Sequence, residues 1–213
     1  MNAASLDLTH LVALAAALGW ASGLRLYAVV FITGAIGYLG WVPLPEGLKL
    51  LQHPLVLGAS ALMVLVEFVA DKVPGLDTLW DAVHTLIRIP AGAALAAGVF
   101  GGLGPEWGSA WAIVAALAGG TLAATAHAAK ATTRAAVNTS PEPFSNIGMS
   151  LLGDAAVPGM LWLAWQDPTW FFVVLALVLV ASLVLTLLLW RFLRVLWQRL
   201  TGRSGPGWVA KAG

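Results

Sequence analysis

From residue 169 to residue 190 the chain carries no charged side chain. A run of this kind matches the ~20 mostly apolar residues that a helix needs to cross the hydrocarbon core of a bilayer. The rest of the chain agrees with it. The sequence is 60% hydrophobic and 10% charged, with a mean hydropathy of +0.87, whereas an ordinary soluble domain is nearer a quarter charged. A soluble fold would lack the polar side chains to cover so much apolar surface, and a bilayer removes that need. The expected fold is all-α: a polytopic transmembrane bundle of about six spans in one domain over residues 1–195, followed by a basic tail over 196–213. The absence of cysteine excludes disulfides, thiolate catalysis and cysteine metal sites.

Breaks in the apolar pattern divide the chain. Residues 8–42 are too long for one simple span and are interrupted by Gly19, Gly23, Arg25, Gly34, Gly37 and Gly40, so they read as one long, tilted or broken span ended by Pro43 and Pro45. Pro54–Ala70 is a second apolar run, and a polar stretch over 71–88 follows it. Residues 90–103 form a short Ala/Gly-rich span, and Gly104, Pro105 and Glu106 a turn. Residues 109–129 form a fourth span, 132–154 a second polar stretch and 155–165 another short span. Asp167 and Pro168 turn the chain into the last span, 169–190. The two short spans either cross fully or are re-entrant. Met1 to Asp7 has no basic residue, unlike a secretory signal, so the first helix is expected to stay in the mature protein.

Orientation follows from the basic residues. Arg191, Arg194, Arg199, Arg203 and Lys211 form a tail with no acidic partner, which should be cytoplasmic. Counting back through six spans puts the N-terminus and both polar stretches on that same side, with the turns at Glu106 and Asp167 and the Glu46/Lys49 loop outside. Trp41, Trp107, Trp111, Trp165, Trp170 and Trp190 fall near span ends, where indoles anchor at the interface. Small-residue faces such as 92–102 serve either packing within the chain or a homo-oligomer. A weak internal repeat is also visible. Ala82-Val83-His84-Thr85 is echoed by Ala136-Val137-Asn138-Thr139, each after a lysine and before proline, as in transporters that build a site between repeated halves.

The charges inside this apolar chain are the candidates for function. Arg25 lies well within the first run, where a charge costs roughly 2.5–3.5 kcal/mol on insertion scales and must face a partner, a cavity or an anion. Glu67 and Asp71 are four apart and share a helix face beside Lys72. Asp77, Asp81 and His84 share another, on a helix whose other positions are apolar, so a helix along the membrane surface is expected. Such a face can hold a divalent metal, Mg²⁺ or Mn²⁺ by its carboxylates and Zn²⁺ or Fe²⁺ by the histidine, although the spacing matches no specific motif. His127, Lys130 and Arg134 form a basic face. Asn138, Glu142 and Asn146 follow in a segment broken by Pro141 and Pro143, in which Ser145 or Asn146 is placed to cap the next helix. A helix N-terminus beside Lys130 and Arg134 would make an anion site.

Four motifs carry a resemblance. They are Ser22-Gly23-Leu24-Arg25; Glu67-Phe68-Val69-Ala70-Asp71-Lys72-Val73-Pro74; Asp77-Thr78-Leu79-Trp80-Asp81-Ala82-Val83-His84-Thr85-Leu86-Ile87-Arg88; and Ser140-Pro141-Glu142-Pro143-Phe144-Ser145-Asn146. Together they resemble the bacterial membrane family called domain of unknown function 4126, over roughly residues 11–190. The resemblance implies a membrane fold and insertion in a bacterial plasma (inner) membrane with both termini cytoplasmic. It implies no activity.

Three functions fit these residues. One is a transporter or channel for an ion or small anionic solute, with Arg25, Lys130 and Arg134 attracting the anion and Glu67, Asp71 and His127 handling protons or a coupling cation. A second is a metal-dependent enzyme acting on a lipid head group, though no nucleophile stands out. A third is a structural or assembly subunit locked by ion pairs. Beyond membrane lipids and the solute no partner is expected. The basic tail suits anionic lipid better than nucleic acid, and no cofactor is called for beyond a divalent metal at Asp77, Asp81 and His84.

Overall fold

The computed structural model describes residues 6–73, 75–139 and 144–200. Among these every regular element is helical: α1 (Leu8–Tyr38), a short 3₁₀ helix (Glu46–Gln52), α2 (Pro54–Ala70), α3 (Leu76–Gly98), α4 (Pro105–Val137), α5 (Phe144–Gln166) and α6 (Pro168–Leu200). The starts follow ordinary capping chemistry. The Asp7 carboxylate accepts the His10 N–H at 2.8 Å and caps α1, and that N–H together with the His10 ring holds the carboxyl below its usual range. Proline opens α2, α4 and α6. At α6 the Asp167 carboxylate accepts the N–H groups of Thr169 and Trp170, both at 3.1 Å.

The helical membrane bundle is the one expected. Among the described residues four helices are long and apolar enough to cross a membrane, namely α1, α4, α5 and α6, and a fifth crossing is made if the 3₁₀ helix and α2, bent by 70° at their junction, count together. The remaining helix, α3, falls short in apolarity because its first half carries Asp77, Asp81, His84 and Arg88. That half is not a surface helix. α3 runs without interruption from Leu76 to Gly98 through Pro90, with the four polar residues buried while Leu79, Val83 and Leu86 are exposed. The physical reason is the solvent: facing lipid, an amphipathic helix turns its apolar side outward.

The second polar stretch is absorbed in the same way. α4 continues to Val137, and α5 begins at Phe144, so the short span expected over 155–165 is the second half of a 23-residue helix. α5 already includes Asn146 in its first turn, so Asn146 is not the cap. The two echoed tetrapeptides stand in different surroundings, one inside α3 and the other at the end of α4, so the likeness does not extend to local structure.

Small residues bring α1, α3 and α4 together. Gly19 lies against the backbone of Gly119, Gly23 against Ala123 and Ala126, and Gly92 against Ala123 and Gly19. Any side chain at these glycines would meet a neighbouring helix, the close approach by which membrane helices pack in place of a hydrophobic drive. The register shows direction: α1 up to Leu24 runs parallel to α4, so that Gly19 meets Gly119 and Leu24 meets Lys130. At Arg25 the helix breaks, with φ −145° and ψ 72°. The half over 26–38 then leads back, since Gly34 lies against Leu51 and Leu57, and Gly47 of the same 3₁₀ helix lies against Gly98 at the far end of α3. Leu8 therefore starts at the end of the bundle where α4 starts, opposite the end that carries both polar stretches. The break thus turns one long run into two opposed halves.

Candidate functional site: a buried ionic cluster beside an apolar cleft

The break at Arg25 frees backbone that other helices satisfy. The Leu24 carbonyl accepts from Lys130 Nζ at 2.9 Å. The Arg25 guanidinium, 3% exposed, donates to the Asp71 carboxylate, to the carbonyl and Oγ of Ser150 at 3.0 and 2.9 Å, and pairs with Asp154 at 2.9 Å. One side chain thus ties α1 to the end of α2 and to α5.

Asp71 is the centre of the cluster. Fully buried as the C-cap of α2, it receives Arg25, Arg134 at 2.6 Å and Lys130 at 3.1 Å. Asp81 on α3 shares the last two, with Lys130 at 3.2 Å and Arg134 at 3.4 Å, and adds Arg88 at 2.8 Å. Arg88, fully buried, reaches Glu67 on α2 at 2.6 Å and stands 3.2 Å from His127 Nδ1, and the other ring nitrogen of His127 meets the Thr85 hydroxyl at 2.7 Å. On the other flank Lys72 lies 3.3 Å from Asp154 and 3.1 Å from the centre of the Phe68 ring. Arg25, Lys72, Arg88, Lys130 and Arg134 face Glu67, Asp71, Asp81 and Asp154, which leaves one cation in excess among these contacts.

The expected metal face is not assembled. Asp77 accepts the N–H groups of Gly75 at 2.9 Å and Thr78 at 2.6 Å, and Asn138 Nδ2 at 3.0 Å, so it pins the start of α3 to the end of α4. Asp81 is taken by cations. His84 donates from Nδ1 to the Trp80 carbonyl at 2.8 Å, which leaves Nε2 to accept the Tyr27 hydroxyl at 3.1 Å, and its ring stacks on Trp80. Among the described residues no three His, Asp or Glu side chains converge as a metal site. Asn146 is buried with both amide atoms lacking a partner. Glu142 lies outside the described residues.

Three members of the cluster were not among the expected site residues. Arg88 follows Asp81 and His84 at spacings of seven and four, so the same helical face continues to it, and that signal was readable. Asp154 stood at the edge of an apolar run, and nothing marked Ser150.

A cleft of about 600 Å³ opens beside the cluster between α1, α4, α5 and α6, where α4 and α5 scarcely touch. Arg25, Lys130 and Arg134 line one part of it, with Thr133 and Ser150; Leu24, Met160, Leu163, Val174 and Val178 are among its apolar walls. Among the described residues no carboxylate lines it. Asp71 and Asp81, which pair with these cations, are buried and are not among its lining residues.

Apolar helices facing lipid around a buried ionic cluster define a polytopic integral membrane protein. Residues 12–189 match the profile of the domain of unknown function 4126 family, and the chain belongs to that family. No curated protein and no solved structure matches the chain.

Proposed function

We propose that the protein is a membrane transporter for an anionic solute, with Arg25, Lys130 and Arg134 as the residues that receive it. The observation carrying this reading is that the three cations share the wall of one cleft that, among the described residues, no carboxylate lines. Asp71, which pairs with all three, is fully buried and is not among the residues lining the cleft. Arg25 and Arg134 are buried and engaged by Asp71 and Ser150, so an anion would be received by exchanging some of these contacts for charge-assisted hydrogen bonds to itself, which are strong in a low-dielectric site.

The test uses the full chain in liposomes, challenged with labelled inorganic phosphate, glycerol 3-phosphate and a phosphatidylglycerol analogue, each beside an uncharged counterpart. Protein-dependent movement of at least one anion, lost in Arg134→Gln, is the expected result. No movement of any of them above protein-free liposomes, with the protein verified as folded, overturns the proposal.

A helix-locking role has its own observation and applies to the other half of the cluster. Glu67, Arg88, Asp81 and His127 do not line the cleft, and Arg88 joins α2 to its own helix and to α4. These residues hold α2, α3 and α4 in register, and the proton-handling role expected of Glu67 and His127 has no support in their positions.

A further inference from the structure

Resting on that reading, we infer that the anion is a phospholipid of the surrounding bilayer, with its head group at Arg25, Lys130 and Arg134 and its acyl chain along α5 and α6. A small hydrated anion explains only one part of the cleft. Apart from the three cations and the Trp20 indole, the polar side chains lining it are Thr133, Ser150 and Ser182, and a charged solute moving past the remaining apolar walls would leave its hydration without replacement. An amphiphile satisfies both parts at once.

The depth is also right. Lys130 and Arg134 lie in the last two turns of α4, which ends at Val137, and Ser150 lies in the second turn of α5, which starts at Phe144. The cations therefore sit near one end of the bundle, towards the head-group level. The lining along α5 runs from Met149 to Leu163, which at 1.5 Å per residue is about 21 Å of wall leading into the hydrocarbon. The sparse contact between α4 and α5 leaves the cleft open sideways, and Met149 and Leu152 at that opening are themselves exposed.

The experiment is native mass spectrometry of the full chain in a non-ionic detergent. The probes are phosphatidylglycerol, phosphatidylcholine with the same acyl chains, and glycerol 3-phosphate as a head group without chains. The variant is Gly159→Leu. Gly159 lines the apolar part and has open space where a side chain would project, so leucine there fills the tail's place without disturbing the ionic cluster or the fold. The expected result is a phosphatidylglycerol adduct about tenfold or more stronger than the phosphatidylcholine adduct. Excess glycerol 3-phosphate does not displace it, and Gly159→Leu weakens it by a similar factor with an unchanged melting temperature. If glycerol 3-phosphate displaces the lipid or Gly159→Leu binds it normally, the lipid assignment is overturned while the anion reading stands. If phosphatidylcholine binds as well as phosphatidylglycerol, the anion reading falls with it.

Discussion

Arg88 shows what a single charge does inside this bundle. It is fully buried and holds two carboxylates, Glu67 and Asp81, on either side of one guanidinium. Deleting one partner of such an arrangement leaves an uncompensated charge in a low-dielectric interior, which costs about 3–5 kcal/mol. Removing both ends together leaves none. Arg88→Leu should therefore lower the unfolding free energy by about that amount, and Arg88→Leu with Glu67→Leu should recover part of it because the two effects are not additive. Unfolding in mild detergent measures both. Equal losses in the single and double variants would show that the pair does not act as a unit. The identities of these charges were legible in the sequence, and so was the shared face of Asp77, Asp81 and His84. Their direction was not, because a polar helical face reads the same whether it points to water or inward from lipid, and only the packing of α2 and α4 against α3 decides between them.

At the scale of helices the decisive features are the break at Arg25 and the glycine seam. At the seam, leucine at Gly119 would push into the Ala96 side chain and the Gly92 backbone. Overpacking of this kind costs about 1–3 kcal/mol, so Gly119→Leu should lower the melting temperature clearly. Gly58→Ala in α2, where nothing lies within reach of an added methyl, should be neutral or stabilising by about 0.5–1 kcal/mol through helix propensity. Thermal unfolding of the two variants side by side checks the contrast, and equal behaviour would deny the seam its role. The sequence showed where α1 is interrupted, through Gly23 and Arg25, but not how far the chain turns there. Apolar residues flank the break on both sides, so the pattern carries no sign of direction. That sign comes from residues far away in the chain, Lys130 capping the Leu24 carbonyl and Leu51 receiving Gly34.

For the whole molecule, the consequence of that break is topological. If residues 8–24 run parallel to α4 and residues 26–38 lead back, the start of α1 and the end of α4 lie on opposite faces of the membrane. The absence of any native cysteine makes this directly measurable. Thr9 and Thr139 are both exposed, one beside the start of α1 and the other just past the end of α4. Thr9→Cys and Thr139→Cys, made singly, should react with a membrane-impermeant maleimide from opposite sides of sealed vesicles. By the rule that orients other helical membrane proteins, the excess of basic residues after residue 190 predicts that the Thr139 position is labelled from the cytoplasmic side. Labelling of both positions from one side would mean that the two halves of α1 do not oppose each other. It would also return the ionic cluster to the same face as the N-terminus. Labelling from opposite sides would fix the cluster, the cationic wall of the cleft and the basic tail at one surface, where the head groups of the cytoplasmic leaflet are within reach of Arg25, Lys130 and Arg134.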